Sequence, residues 1–187
     1  MKKLTIALAL MAAVCCSAEN LIKNADFQEV DANGKLTVWK YKPEQYSLVK
    51  SEDAADEGKQ VVSATVTAPE EGEEKTRTFV SLRQRIQLPQ AGKYQLTLVG
   101  KIEGTAVLNC SWTFFDENKK TVKVGKFWSK VIKGGKDGGW KTVTEIVEVP
   151  EGVKSMELRV TTSCNRKRKQ LGGTSFIKQV SLEPVTE

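Results

Sequence analysis

Behind residue 18 the chain shows no helical period. Apolar and polar residues instead alternate in short runs separated by Gly, Pro, Asn and Asp, the pattern of half-buried β-strands. Val61 to Val66 alternates with Ser and Thr. Phe79 to Leu88 reads Phe-Val-Ser-Leu-Arg-Gln-Arg-Ile-Gln-Leu and stops at Pro89, and Ala91-Gly92 makes a turn. Tyr94 to Lys101 sets Tyr94, Leu96 and Leu98 on one face and Gln95, Thr97 and Val99 on the other; Gly104 breaks the pattern. Ala106 to Phe115 is the next strand, closed by the turn-forming group Asp116-Glu117-Asn118-Lys119. Trp140 to Val149 ends at Pro150-Glu151-Gly152. Val153 to Thr162 follows, with Met156, Leu158 and Val160 on one face, and Ser175 to Leu182 is the last strand. Short strands with turn signals between them and no helices predict an all-β sandwich or barrel.

Two connections are long. Ala68 to Lys75 is acidic. Gly125 to Gly139 is rich in Lys and Gly, carries Phe127 and Trp128, and its glycine pairs predict mobility near its end. Loops of this length are usually functional or disordered.

The first 18 residues read differently. Met1-Lys2-Lys3 is basic, Leu4 to Val14 is apolar, and Cys16-Ser17-Ala18 offers small residues for cleavage, so residues 1–18 are expected to be a signal peptide. The apolar run is too short to span a bilayer, which takes roughly 20 residues, and no later segment is long or apolar enough. A secreted or periplasmic chain is expected, with lipid attachment through Cys15 or Cys16 as the rival. Residues 19–187 then form one domain, with enough chain for a real core.

The net charge of +6 falls by two once Lys2 and Lys3 leave, too small an excess to mark a nucleic-acid binder. Arg166-Lys167-Arg168-Lys169 holds much of it. Such a run is ordinarily a solvated loop, with a site for anionic glycans or a membrane surface as its functional reading. There is no histidine, which removes Ser-His-Asp and Cys-His catalysis and His-ligated zinc. Behind the leader, Cys110 and Cys164 either pair in an oxidising compartment or stay as buried free thiols.

Several segments, taken in order, resemble the carbohydrate-binding modules of families 4, 9 and 22. They are Asn20 to Phe27 then Trp39; Gln84-Arg85-Ile86 before Pro89; Gly92 to Leu98; Phe114-Phe115-Asp116; Trp140 to Val143; Val149 to Gly152; and the closing strand Phe176 to Leu182. The resemblance implies a two-sheet antiparallel jelly roll of the galactose-binding-like kind that binds a glycan or polysaccharide without chemistry. It also implies a structural Ca2+ near the paired chain ends, for which Asp26 and Glu29 are the candidate ligands. Lys178-Gln179 stand where the family's closing strand is usually acidic, and a lysine opposes a cation that needs several hard oxygens.

Sugars are held by an aromatic ring on the apolar face and polar groups at the hydroxyl edges. The aromatic candidates are Trp128, Phe127, Trp112 and Tyr46, although Trp112 shares its strand face with Cys110 and Phe114, a core pattern; Trp39 and Trp140 are expected in the core. The polar candidates are Gln95, Asn109 and Arg159, grouped with Thr97, Lys101, Ser111, Glu157 and Thr161 as a possible groove lining. The acidic residues lie in no glycosidase pattern, so no catalysis is expected. The alternative reading is an envelope module that binds another protein through the same fold.

Overall fold

The computed structural model describes residues 19–53, 56, 58–124, 131–134 and 138–185. The strands are β1 (Ser47–Lys50), β2 (Gln60–Thr67), β3 (Arg77–Gln87), β4 (Gly92–Gly104), β5 (Val107–Phe115), β6 (Thr121–Val122), β7 (Ile132–Lys133), β8 (Lys141–Val149), β9 (Ser155–Asn165) and β10 (Gly172–Pro184). The first sheet has the order β1-β2-β10-β4-β8. The second has β3-β9-β5-β6, with β7 also on β5. Every pairing is antiparallel, so the expected two-sheet sandwich is the fold.

Alternation decides which residues lie between the sheets. β4 turns Tyr94, Leu96, Leu98 and Ile102 inward, and β9 does the same with Met156, Leu158 and Val160. With Leu82, Leu108 and Ile177 these form one continuous core. Burying each such side chain contributes about 1.5–3 kcal/mol, and one residue of register slip would turn the whole set out to water.

The Gly125 to Gly139 stretch is not loop throughout. Ile132 pairs with Leu108 and is fully buried, and Gly134 lies so close to the backbone that a Cβ there would sit 2.0 Å from the Gly104 carbonyl oxygen. The remainder of that stretch, apart from Val131–Lys133 and Gly138–Gly139, lies outside the described residues. A second difference concerns Trp140, expected in the core. It is half-buried on the outward side of the first sheet, where the ammonium groups of Lys101 and Lys178 stand 5.9 and 5.5 Å from its ring. Trp140 ends a loop rather than sitting inside β8, so strand alternation does not fix its side.

The opening segment straps the two sheets together at one end. Its backbone bonds to β10 through Leu21 N–H to the Leu182 carbonyl and Val180 N–H to the Ala25 carbonyl, both 2.9 Å. On the second sheet, Gln84 of β3 exchanges two 2.9 Å bonds with the backbone of Lys23. Asn24, buried and at φ +47, donates to the Glu29 carbonyl (2.7 Å) and accepts from the Glu29 N–H (2.9 Å). The Trp39 indole N–H donates to the Asn24 carbonyl, and the Trp39 ring packs on Phe27 at 5.3 Å. Amide side chains are thereby spent on backbone groups that no strand satisfies.

Cys110 and Cys164 form no disulfide with each other and are both fully buried. Cys110 is in register with Val160, and Cys164 lies four residues further along β9, roughly 13 Å at strand rise. A disulfide needs Cα atoms within about 7 Å, so the free-thiol alternative is the one realised. Burial also pushes the Cys164 thiol pKa up, away from the reactive thiolate.

Candidate functional site

The outward face of the second sheet is built by one alternation in each of three strands. β3 presents Phe79, Ser81, Arg83 and Arg85. Across from them β9 presents Ser163, Thr161, Arg159 and Glu157. β5 continues the rows with Val107, Asn109, Ser111 and Thr113. At the open side of β3, Lys40 and Arg83 exchange backbone hydrogen bonds of 2.8 and 2.9 Å, which adds the 40–45 segment as a rim.

The floor is polar and low. Thr161 and Asn109 are each 8% exposed, and the Ser81 and Thr161 hydroxyls meet at 2.9 Å. Taller side chains rise around them. Phe79 is 60% exposed, with the Arg77 guanidinium 5.6 Å from its ring. Arg85 stacks at 3.7 Å over Phe115 and donates to the Ser155 hydroxyl at 3.1 and 3.0 Å. Arg159 donates to Glu157 through Nε and Nη2 at 2.8 and 2.7 Å. A depression of about 750 Å³ lies between the rim and β3, with Tyr41, Pro43, Phe79, Arg83 and Arg159 among its walls. That volume falls within the range of small-molecule sites, roughly 300–1,000 Å³.

Of the residues singled out in the sequence, Asn109 and Arg159 come together here. Gln95 does not: it lies on the outward face of the opposite sheet, in register with Glu183 and Ile146. Thr97 and Lys101 are on that same opposite face, so the polar candidates divide between two surfaces. Trp112 is 6% exposed and points into the core beside Cys110 and Phe114, which corrects its candidacy as a sugar platform. Tyr46 is likewise buried, edge-on to Tyr41 at 5.7 Å, and burial pushes its phenol pKa up. Phe127 and Trp128 lie outside the described residues. Sequence reasoning missed Phe79 and Arg83, yet the signal was present: Phe79, Ser81, Arg83 and Arg85 share one face at period two.

The basic run splits in role. The Arg166 guanidinium donates to the Pro69 carbonyl, tying the acidic loop's start to the end of β9. Lys167, Arg168 and Lys169 are exposed, and Arg168 borders the Asn109 end of the polar face.

At the chain ends the donor set does not suit Ca2+. The carbonyls of Asp26 and Gln60 both accept from the Gln28 carboxamide (2.6 and 2.8 Å), whose oxygen accepts from Gln60 N–H (3.0 Å). Asp26 and Glu29 are exposed. Among the described residues no cluster of three or more His, Cys, Asp or Glu side chains could hold a metal. Lys178, at the bulge in β10, turns to the outward face of the first sheet. There it pairs with the carboxylates of Asp53 at 3.6 Å and of buried Asp56.

No protein-family model and no curated protein sequence matches the chain. Solved structures do match in fold. TmCBM61, determined in complex with β-1,4-galactotriose, is 18% identical, with a TM-score of 0.58 over 90% of this chain and 100% of that one. The CBM22-1 xylan-binding domain of Paenibacillus barcinonensis Xyn10C is 13% identical, with a TM-score of 0.54 over 91% and 97%. A putative sugar-binding protein from Bacteroides thetaiotaomicron is 16% identical, with a TM-score of 0.53 over 89% and 100%. The fold is therefore the jelly roll found in carbohydrate-binding modules.

Proposed function

We propose that this chain is a non-catalytic glycan-binding domain and that it works outside the cytoplasm, delivered by the leader of residues 1–18. The observation that carries the proposal is the outward face of the second sheet. An exposed ring, Phe79, stands beside a shallow floor of hydroxyl and amide groups and a rim of guanidinium groups. Those are the two halves of sugar recognition, a stacking surface and edge hydrogen-bonding groups. Similarity in fold to TmCBM61 and to the xylan-binding CBM22-1 domain supports the same reading.

The test is a glycan-array screen of residues 19–187, followed by titration of any hit against Phe79→Ala and Gln95→Ala. Loss of an aromatic stack, about 0.5–1.5 kcal/mol, should weaken binding roughly two- to thirteen-fold in Phe79→Ala. Gln95→Ala, on the opposite sheet, should leave it unchanged. Binding weakened by Gln95→Ala and not by Phe79→Ala would move the site to the first sheet. A folded sample that binds no glycan would instead favour an envelope protein partner.

A further inference from the structure

The depressions along the outward face of the second sheet are bordered by eleven Lys or Arg residues and four Asp or Glu residues. That surplus of seven exceeds the +6 of the entire chain, so the face is basic and the remainder of the protein is not.

The arrangement is more telling than the total. Lys40, Arg83 and Arg159 stand in one row across three neighbouring chain segments, Lys40 paired with Arg83 and Arg83 in register with Arg159. At the usual strand spacing the row spans only about 10 Å. Like charges directly opposite one another destabilise a sheet, and neutralisation within the protein is incomplete. Glu157 serves Arg159. Asp31 is committed to the N–H groups of Asn33 and Lys35, and Asp116 accepts from the N–H of Lys120. Among the described residues neither Arg83 nor Lys40 has a carboxylate within ion-pair distance. The opposite face differs: there Lys101 and Lys178 are each held between acidic partners.

Resting on the glycan-binding reading above, we infer that the ligand is an acidic glycan whose carboxylate or sulfate groups lie along the Lys40–Arg83–Arg159 row. Its hydroxyls meet Ser81, Thr161 and Asn109. Guanidinium groups suit this task because their planar fork engages an oxyanion through two parallel bonds. The hydroxyl and amide floor beside the row favours a sugar polymer over other polyanions.

The experiment uses residues 19–187 and affinity electrophoresis or calorimetry at 50, 150 and 500 mM NaCl. The probes are polygalacturonate, dextran sulfate, and the neutral polymers dextran and β-1,4-galactan. Binding to polygalacturonate alone identifies a uronate ligand, and binding to dextran sulfate but not dextran identifies a sulfated one. In either case affinity should fall about ten-fold or more across the salt range as charges are screened. Arg83→Gln and Arg159→Gln should each weaken binding about ten-fold, since each removes a charge-assisted pair. Both side chains are exposed, so their Tm should stay within about 2 °C of the parent. Arg83→Lys should fall between, keeping charge but not the fork. Neutral galactan bound as tightly as polygalacturonate, without salt dependence, would overturn the acidic ligand and leave the glycan reading standing. Failure of every polysaccharide would overturn both. Equal Arg83-dependent capture of single-stranded DNA or of phosphatidylserine vesicles would make the row a general polyanion surface and also overturn the inference.

Discussion

Asn24 concentrates three roles in one buried side chain. It accepts from Glu29 N–H, donates to the Glu29 carbonyl, and holds the backbone at φ +47, where most residues are strained. Replacing it separates the terms. Asn24→Gly keeps the conformational freedom and loses the two short hydrogen bonds to Glu29, each worth about 1 kcal/mol net, a loss of about 2 kcal/mol, with the 3.4 Å contacts to Thr37 too long to add much. Asn24→Ala loses the same bonds and adds a Cβ in the left-handed region, about 1–2 kcal/mol more, for about 3–4 kcal/mol in all. In a domain of this size each kcal/mol moves Tm by about 2–4 °C. The Ala variant should therefore melt roughly 6–16 °C below the parent and the Gly variant roughly 4–8 °C below. Scanning calorimetry with a urea titration measures both. If Ala and Gly are equally destabilised, the backbone contributes nothing; if neither changes Tm by more than a degree, the strap is not a structural closure and the reasoning fails.

Other outcomes follow from the same geometry. Trp112→Ala should cost about 3–5 kcal/mol by opening a core cavity, read as a lowered urea midpoint, and a fully stable variant would mean that the ring faces water. Gly134→Ala should cost about 1–3 kcal/mol, because the new Cβ meets the Gly104 carbonyl; an unchanged Tm would show that β7 moves aside freely. Lys178→Met should destabilise the fold by removing the ammonium paired with Asp56 Oδ2, leaving that buried carboxylate only the longer 3.9 Å contact to Lys59. Because ion pairing with Asp56 raises the Lys178 pKa, that contribution is fully present below the unfolded lysine value of about 10.4. It disappears as pH rises through the higher folded value, so the gap between parent and variant should hold from pH 7 to 10 and close only above that. A protein of residues 19–187 should not react with a thiol reagent while native and should expose two thiols when unfolded; a reactive native cysteine would contradict the burial of Cys110 and Cys164.

Much of the fold was legible because strand alternation records which side is dry. Tyr94, Leu96 and Leu98 read as a buried face and are one. β1, β6 and β7 were not legible. Two or four residues give no period, and these strands exist only because longer neighbours offer them hydrogen bonds. Ile132 shows the limit well, since one buried isoleucine within Val131-Ile132-Lys133 carries no pattern. The candidate site was half legible. Attention to tryptophans in loops led to Trp128, whereas the exposed ring that the described structure provides is Phe79, near the start of a strand. The rows Arg83–Arg159–Ser111 and Ser81–Thr161–Asn109 depend on register between strands far apart in sequence, and nothing in one linear chain states that register.

The strap also has a mechanical consequence. Leu21 meets Leu182 and Ala25 meets Val180, so the opening segment runs antiparallel to β10 and the two ends of the described domain leave from the same pole. Force applied between those ends loads the contact in an unzipping geometry, in which the bonds carry the load one after another, each worth only about 1 kcal/mol net. A jelly roll tethered through both ends would give way at low force, peeling first at Leu21. The same domain pulled by the outward face of its second sheet against a single tether would load its long central strands together and hold.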